Sequence, residues 1–420
     1  MTSSFILTNS QKRAIDAFKS GRNVFLSGEA GTGKSFVLNY YLSGILGKNV
    51  IICAPTGIAA LNVGGVTMHR AFAIPTHPLG PKEEPEQISK ELLRADVIVI
   101  DEISMARFDA FQYVAKSIRR AEEESGRHKQ LILVGDFFQL PPVITDKDRK
   151  ILEAMWGRYM VRDGFAFQAP LWKSFDFVSI LLTDSMRQRD DKPFLDCLNQ
   201  LRKGNPDCIK WLNSNACKSD VPGIKIKICP LNKDVERINA AESDKLEGSY
   251  SVFKSTVYGK VLPAEKPAPD FLNLKVGMQI MTVVNNADVF QNGSIGVITA
   301  IDKEASTIIV EFSNGKEAEI APFVWKIKDY CLNEDNELET KVVGVYTQLP
   351  IKVAYAITIH KSQGKTFESA SLNPSCFAPG QLYVAVSRLT SITGLHLSKK
   401  ILSSYLKTSN DVLEFYRSVA

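Results

Sequence analysis

The segment from Gly28 to Ser35 reads GEAGTGKS and matches the pattern of a phosphate-binding loop. The run before it, Asn23 to Leu26, is short, apolar and β-prone, and Phe36 to Leu46 after it has helical periodicity. A glycine-rich turn between a strand and a helix lets backbone N–H groups and the helix N-terminus surround a phosphate. The alternative is a glycine-rich turn with a chance lysine, which leaves the flanking strand and helix unexplained. The segment therefore predicts an α/β fold that binds a nucleotide through its phosphates.

The loop residues have expected roles in binding ATP and Mg²⁺. The residues whose backbone is expected to surround the phosphates are Gly28, Glu29, Ala30, Gly31, Thr32 and Gly33. Lys34 is expected to reach the β- and γ-phosphates, and the Ser35 hydroxyl to hold Mg²⁺. Gln11 lies a short distance before the loop, where its amide is placed to bind the adenine edge. A surface glutamine at a helix start is the alternative for that residue.

The composition is that of a globular protein with about two to four domains. Of the 420 residues, 45% are apolar and 23% charged, and the formal net charge is +5, which permits a polyanionic partner without requiring one. The seven cysteines include no C-x-x-C pair, so the sequence predicts neither a zinc site nor a disulfide framework. We expect an intracellular protein, cytoplasmic if bacterial or phage-encoded, with no membrane partner, because signal-peptide features and long apolar runs are missing.

Two further motifs follow predicted buried strands. The strand from Asp96 to Ile100 ends in Asp101 and Glu102, an acidic pair suited to hold Mg²⁺ and to polarise an attacking water, respectively. A chance acidic turn is the alternative. The strand from Gln130 to Val134 ends in GDFFQLPPV, where the Gln139 amide is placed to bond the γ-phosphate or the water. Alternating strands and helices predict a doubly wound parallel sheet with its active site at the carboxyl ends of the strands.

The rest of the chain divides into further regions. The first α/β lobe is expected over 1–184, with a proline-rich, solvent-facing insertion at about 73–92. A second α/β lobe is expected over 185–249 and 350–420, with a strand from Ile224 to Cys229 and a helix from Asp234 to Leu246. Residues 250–349 lose helical periodicity, and Asn314-Gly315 is a strong hairpin signal, so a small β-barrel inserted in the second lobe is predicted.

Several polar residues at strand ends suit contacts with a polymeric phosphate chain. They are Thr56, Thr67 and His69 in the first lobe. The simpler interpretation of these residues is N-capping by Thr56 and an ordinary histidine with satisfied hydrogen bonds. For His360 and Lys361, in ITIHKSQGKTF of the second lobe, the simple interpretation is a solvated turn. Arg388 ends the segment LYVAVSR, and its simpler interpretation is a surface ion pair.

In this order, the motifs resemble those of the superfamily 1 helicases of class B. The nearest likeness is to the PIF-type helicases, with RecD-like and Dda-like relatives, and it covers nearly the whole chain. The motifs that carry it are GEAGTGKS, APTGIAA, TMHRAF, DEISM, GDFFQLPPV, the MRQ after the strand at 177–182, ITIHKSQGKTF and LYVAVSR.

The resemblance implies two RecA-like lobes with an SH3-like barrel inserted in the second. It implies an ATP-dependent, monomeric motor that moves 5′ to 3′ on single-stranded DNA and unwinds duplex, forked or structured DNA, including G-quadruplex or RNA–DNA structures. Gln11 then corresponds to the adenine-binding glutamine, and Arg187 and Arg388 to two arginines that act on the γ-phosphate. The residues that fall on strand-binding motifs are Thr56, Thr67, His69, Thr358, His360 and Lys361. The proline-rich insertion falls where these enzymes carry a duplex-splitting pin.

Other functions remain open on the residues alone. A nucleotide kinase shares the phosphate loop but needs an acceptor pocket rather than an Asp-Glu pair set up for water. A ring-forming ATPase usually takes its arginine from a neighbouring chain, whereas candidates here lie in the same chain. A passive single-strand-binding protein could use the barrel but would not need Lys34 and Glu102. A translocase that hydrolyses ATP on nucleic acid without separating strands is the nearest alternative to a helicase. Nucleic-acid-stimulated ATP hydrolysis distinguishes a motor from the first three.

Overall fold

The computed structural model describes residues 7–45, 47–184, 187, 191–217, 226–286 and 289–419. These residues form two compact units. The first unit takes in the described residues of Met1–Arg187, Lys328–Val342 and Ser409–Ala420. The second takes in those of Gln188–Ile327 and Val343–Thr408.

The α-helices, in chain order, are α1 (Asn9–Lys19), α2 (Lys34–Ser43), α3 (Gly57–Asn62), α4 (Met68–Ala71), α5 (Lys90–Arg94), α6 (Phe108–Ser125), α7 (Asp146–Trp156), α8 (Lys192–Arg202), α9 (Asp207–Asn215), α10 (Asn232–Asp244), α11 (Ile359–Ser362), α12 (Gln381–Val386) and α13 (Asn410–Val419).

The strands are β1 (Val24–Gly28), β2 (Val50–Ala54), β3 (Val66–Thr67), β4 (Val97–Ile100), β5 (Gln130–Val134), β6 (Val178–Leu182), β7 (Ile226–Cys229), β8 (Ser251–Lys254), β9 (Thr256–Gly259), β10 (Phe271–Leu274), β11 (Gln279–Thr282), β12 (Ile295–Asp302), β13 (Thr307–Phe312), β14 (Glu317–Ile320), β15 (Phe323–Leu332), β16 (Leu338–Gln348), β17 (Ile351–Val353), β18 (Ala356–Thr358), β19 (Ala370–Leu372) and β20 (Leu395–Leu397).

The first unit is built on a six-stranded parallel sheet with strand order β3-β2-β4-β5-β1-β6. Its strands are near-continuous apolar runs because helices cover both faces of a parallel sheet. Val24 and Leu26 of β1 pack on one face with α1 and α2, whereas Phe25 between them packs on the opposite face with α6. Since β4, β5 and β1 are neighbours, their carboxyl ends lie side by side at one edge of the sheet.

The second unit contains a four-stranded parallel sheet with order β18-β7-β19-β20. The β-rich insert adds a five-stranded antiparallel sheet, β14-β13-β12-β11-β17, and two smaller sheets, β15-β16-β9 and β10-β8. The predicted hairpin is confirmed, because β13 and β14 pair antiparallel and Gly315 between them has φ +75°. The predicted fold class, two parallel-sheet lobes with a small β insert, is confirmed.

Three chain segments group differently from the predicted boundaries. Strand β17 pairs with β11, so the sheet of the insert extends beyond residue 349. The tip of the β15–β16 hairpin groups with the first unit, where the Tyr330 hydroxyl donates to the Ile52 carbonyl and accepts from its N–H. Helix α13 also belongs to the first unit, although it was expected in the second lobe. Its apolar face completes the core beneath β1.

The insertion at 73–92 is anchored rather than solvent-facing throughout. Ile74, Leu79 and Ile88 are buried in the core of the first unit. The Leu79 N–H donates to the buried carboxylate of Asp109 on α6 at 3.0 Å, and the Trp156 indole donates to the Leu79 carbonyl at 2.7 Å. The prediction of a solvent-facing segment was wrong in this respect, because its four prolines indicate rigidity but not which side chains between them face inward.

Among the residues that the structure describes, no helix has both the length and the apolar character needed to cross a membrane.

Candidate functional site

The phosphate loop joins β1 to α2 through a turn that only glycine fits easily. Gly31 and Gly33 have φ near +80°, and Gly33 is the N-cap of α2 without a side-chain cap. A Cβ on Gly28 would lie 2.6 Å from the Leu182 carbonyl oxygen, so β6 leaves room for hydrogen alone at this position. The N-terminal turn of α2 therefore has no side-chain cap from Gly33, and a helix N-terminus of this kind favours an anion.

Two side chains brace the loop from within. The Lys34 Nζ donates to the carbonyls of Gly28 at 2.9 Å and Glu29 at 3.0 Å, so the ammonium lies inside the curve of the loop. Gln11 is buried, and its Nε2 donates to the Thr32 carbonyl at 3.3 Å while its Oε1 accepts from the Thr8 N–H at 3.1 Å. The interpretation of Gln11 as a surface glutamine is therefore wrong, because its amide connects the start of α1 to the loop.

The acidic pair follows β4 at the same edge of the sheet. Asp101 is buried, and its Oδ1 accepts from the Glu102 N–H at 2.9 Å. Burial, reinforced by the charge of Glu102, raises the pKa of Asp101 to about 7. Glu102 is half-buried and has left-handed backbone angles, φ 52° and ψ 41°. Such angles are uncommon outside glycine and cluster at functional sites.

The donor set at this edge suits Mg²⁺, which prefers oxygen ligands. Asp101 offers a carboxylate, and Ser35 offers an exposed hydroxyl in the first turn of α2. The hydrogen bond from the Glu102 N–H and the positive charge of Lys34 both lower the pKa of Asp101, against the larger effects of burial and of the Glu102 charge. A cation at this edge therefore favours the ionised carboxylate, the form that binds metal.

Gln139 lies in the loop after β5. Its Nε2 is 3.5 Å from Asp136 Oδ2, and its backbone N–H donates to the Asp136 carbonyl at 2.9 Å. Gly135, at the start of this loop, allows it to approach the segment after β4, because a Cβ at Gly135 would lie 2.9 Å from the Ile103 side chain. The structure thus brings the phosphate loop, Asp101–Glu102 and the Gln139 loop to adjacent strand ends.

The threonines proposed to bind a nucleic-acid strand are helix N-caps. The hydroxyls of Thr56, Thr67 and Thr358 accept from the backbone N–H three residues later, at 3.3, 3.2 and 3.2 Å. Thr67 and Thr358 are also buried. The capping interpretation, made for Thr56, is therefore correct for that residue, and the hydroxyls of Thr67 and Thr358 cap helices in the same way.

The same strand–threonine–short-helix pattern occurs once in each unit. Thr67 ends β3 and caps the four-residue helix that carries His69, and Thr358 ends β18 and caps the four-residue helix that carries His360 and Lys361. His69 and Lys361 are exposed, and His360 is half-buried. Partial burial lowers the pKa of His360, which keeps its imidazole neutral near pH 7.

The two candidate arginines have different surroundings. Arg388 is 2% exposed, and its Nε donates to the Val384 carbonyl at 2.9 Å while its Nη2 donates to the Ser387 hydroxyl at 2.9 Å. A surface ion pair is therefore the wrong interpretation for Arg388. Arg187 is a half-buried turn residue, and the rest of its motif, apart from Arg187 itself, lies outside the described residues.

Three residues at this edge were not predicted. They are Ser27, which precedes the phosphate loop, Asp136, and Tyr416 of α13, which bonds to both of them. Asp136 lies inside the GDFFQLPPV segment and was within reach of the sequence reasoning. Tyr416 was not, because an aromatic residue on an amphipathic helix far along the chain looks like any core residue.

Comparisons with known proteins agree with this geometry. A family model described as PIF1-like helicase matches residues 6–210. The Bdellovibrio bacteriovorus protein called ATP-dependent DNA helicase Pif1 is 31% identical over 408 residues, which is 93% of this chain and 87% of that protein.

Two solved structures are similar along nearly the whole chain. Pif1 from a Bacteroides species in complex with ADP-AlF4 is 33% identical, with a TM-score of 0.87 over 99% of this chain and 97% of that one. Bacteroides Pif1 bound to ssDNA is also 33% identical over the same shares of the two chains, with a TM-score of 0.70.

Proposed function

The chain belongs to the PIF1-like helicase family, and on that premise we propose that it is an ATP-dependent DNA helicase that moves 5′ to 3′ along a single strand. The observation that carries the proposal is the meeting of the phosphate loop, the acidic pair and Gln139 at one edge of one sheet. The relatives support both ligands, since Bacteroides Pif1 has been solved with ADP-AlF4 and with ssDNA.

Each residue at the edge has a proposed task in hydrolysis. Lys34 binds the β- and γ-phosphates, since its ammonium already lies within the loop that would surround them. Ser35 and Asp101 would hold Mg²⁺, which neutralises phosphate charge when bound. Glu102 accepts a proton from the attacking water, and its left-handed backbone turns its side chain out of the run of β4. Gln139 bonds the γ-phosphate or that water.

Arg187 and Arg388 are proposed to stabilise charge on the transferred phosphoryl group. An arginine in that role is worth about 10³-fold or more in rate. The bonds of Arg388 to Val384 and Ser387 hold the guanidinium in one orientation, which lowers the entropy lost when it binds an anion. Gln11 is proposed to bind adenine through its side-chain amide, which lies next to the phosphate loop.

The DNA strand is proposed to bind at the paired threonine-capped helices. His69 of the first unit and His360 and Lys361 of the second would contact the phosphates, and Thr56, Thr67 and Thr358 would fix the short helices that carry them. A repeated backbone contact in each lobe suits a motor, since it recognises the phosphate spacing of a strand and not its sequence.

Strand displacement tests the proposal. We expect ATP hydrolysis to rise with single-stranded DNA and a duplex with a 5′ tail to be unwound, whereas a duplex with a 3′ tail stays intact. Lys34→Ala provides the matched inactive control. DNA-stimulated hydrolysis without displacement of either duplex would favour the translocase alternative. A preference for the 3′ tail would overturn the polarity.

A further inference from the structure

The last helix of the chain is built into the core of the first unit. Phe415 stacks on Phe167 with ring centroids 4.4 Å apart and meets Phe137 edge-on at 5.3 Å. At the start of the same helix, the Asp411 carboxylate accepts from Arg162 at 3.1 Å and from Gln168 at 2.9 Å. Both the apolar and the polar contacts fix α13 against the sheet that carries the phosphate loop.

Because α13 is fixed in this way, the Tyr416 hydroxyl lies between the end of β1 and the loop after β5. The hydroxyl oxygen lies 2.5 Å from Ser27 Oγ, the last side chain before the phosphate loop. It accepts from the Phe137 N–H at 3.1 Å and donates to Asp136 Oδ1 at 3.3 Å. The Tyr416 ring stacks on Phe138 at 4.6 Å. Tyr416 is 8% exposed, and Asp136 is fully buried.

Counting protons gives the direction of these bonds. The Tyr416 hydroxyl has a single proton, which it donates to Asp136 Oδ1. The Tyr416 oxygen then receives the Phe137 N–H and the Ser27 O–H, which uses both of its lone pairs. The hydroxyl therefore joins the end of β1 to the loop after β5 by directional bonds in a buried setting, where such bonds are strongest.

Asp136 passes this constraint to Gln139. One carboxylate oxygen of Asp136 accepts from Tyr416 and from the Phe138 N–H at 3.2 Å. The other oxygen lies 3.5 Å from Gln139 Nε2. The Asp136 carboxylate thus lies between the Tyr416 hydroxyl and the Gln139 amide, and a rotation of the carboxylate would alter both contacts.

We propose that Tyr416 is a positioning residue for ATP hydrolysis, which holds Gln139 in register with the phosphate loop through Asp136 and Ser27. The proposal rests on the proposed function, because Gln139 needs a γ-phosphate or its attacking water to act on. It assigns to the C-terminal helix a part in the chemistry of a sheet edge that lies more than 270 residues earlier in the chain, counting from Gln139 to Tyr416.

Tyr416→Phe tests the proposal, because it removes one oxygen and keeps the ring on Phe138. We expect kcat for ATP hydrolysis to fall roughly 10- to 100-fold, the range typical of a small misplacement of a catalytic group. We expect the KM for ATP to change less than about threefold, since Lys34 and the loop backbone still bind the phosphates. The matched control is Tyr41→Phe, which removes a buried hydroxyl that donates to the Phe18 carbonyl on the other face of the sheet. That control should keep its kcat.

A double-mutant cycle separates positioning from loss of stability. If Tyr416 acts through Gln139, then Tyr416→Phe should lower kcat little further in a Gln139→Ala background. Equal loss in both backgrounds, or a kcat within about twofold of the wild type in the folded single variant, would overturn the proposal. Ser27→Ala serves if Tyr416→Phe unfolds, since it removes one bond of the same hydroxyl and leaves α13 in place; its loss of kcat should also vanish beside Gln139→Ala.

The wild type is measured first, with and without single-stranded DNA. Absence of hydrolysis in the wild type would overturn the proposed function, whereas normal wild-type hydrolysis with an additive cycle would overturn the role of Tyr416 alone.

Discussion

Glu102 adopts a backbone conformation that costs of order 1–3 kcal/mol for a residue with a side chain. The residue before it, Asp101, is buried, and its pKa is raised to about 7. Neither property stabilises the fold. Both are explained if the end of β4 is shaped to present two carboxyl groups to a nucleotide, with the cost met by the surrounding apolar sheet.

At this scale we predict that Glu102→Gln keeps nucleotide and DNA binding and loses turnover. The amide has the same shape but takes no proton from water, so kcat should fall by about 10²- to 10⁴-fold, the usual contribution of a general base. Single-turnover hydrolysis and equilibrium binding of a fluorescent ATP analogue measure the two effects. Glu153→Gln, on the half-buried face of α7, is the control for a lost carboxylate. Hydrolysis at the wild-type rate would remove Glu102 from the mechanism.

Residue identities were predictable where a motif carries its own chemistry. The phosphate loop, Asp101, Glu102 and Gln139 all lie at strand ends, as expected of parallel sheets. The burial of Gln11 and Arg388 was not predictable, because a polar side chain of either type is exposed in most proteins. Only the tertiary structure shows that both side chains donate to backbone carbonyls, Gln11 to that of Thr32 and Arg388 to that of Val384.

At the scale of elements, the insertion at 73–92 is strapped to α6 by two basic side chains. The Lys116 ammonium donates to the carbonyls of Pro81 at 2.9 Å and Glu83 at 2.7 Å, and it pairs with the Glu84 carboxylate at 2.6 Å. Arg120 donates to the Pro85 carbonyl at 2.5 Å. If the insertion acts as the duplex-splitting pin that the resemblance implies, these bonds would let it withstand force that would displace a loose proline-rich loop.

We therefore predict that Lys116→Met uncouples strand separation from hydrolysis. Loss of the three contacts should loosen the insertion and lower the rate of strand displacement severalfold, while ATP hydrolysis stimulated by single-stranded DNA stays near the wild-type value. Lys82→Met removes one exposed charge from the same segment without touching those carbonyls, and it is the matched control. Equal displacement by both variants would show that the strapping has no part in unwinding.

The elements were predictable in proportion to how apolar they are. Strand β5 was predicted at its observed bounds, and β4 within one residue, because buried parallel strands are continuous apolar runs. The hairpin of β15 and β16 was missed, because the alternation of Lys326 and Lys328 with apolar residues is short and is broken by the adjacent Asp329. Helix α2 ends at Ser43, earlier than predicted, where Gly44 forms the C-cap.

At the scale of the whole molecule, the first unit is assembled from three separate stretches of chain. The amphipathic pattern of α13 predicts that one face is buried but fits any apolar core equally well. That is why sequence order placed it in the second lobe. Phe415 and Tyr416 are the residues that decide the matter, through their contacts with Phe137, Phe167 and Phe138.

We predict that a fragment of residues 1–187 is a less stable form of this unit. Without α13 it should expose the aromatic cluster around Phe137 and Trp172, bind the dye ANS and melt at a lower temperature than the full chain. A peptide of residues 409–420 added in excess should reverse the dye binding, and the same peptide with Phe415→Ala should not. A fragment that binds no dye and melts with the full chain would refute the prediction.

The late position of α13 has a consequence for synthesis on the ribosome. Domains usually fold as they emerge, N-terminal first, at about 5–20 residues per second. Strand β6 completes the sheet at Leu182, whereas α13 begins only at Asn410. At that rate of synthesis, the aromatic cluster formed by Phe25, Phe137 and Trp172 stays without its contacts to α13 for about 10 to 45 s. During that interval the nascent chain exposes an apolar aromatic surface that is prone to aggregation. The side chains of Ser27 and Asp136 therefore gain their bonds to Tyr416 only after the ribosome has made α13, and we expect productive nucleotide binding to follow the synthesis of that helix.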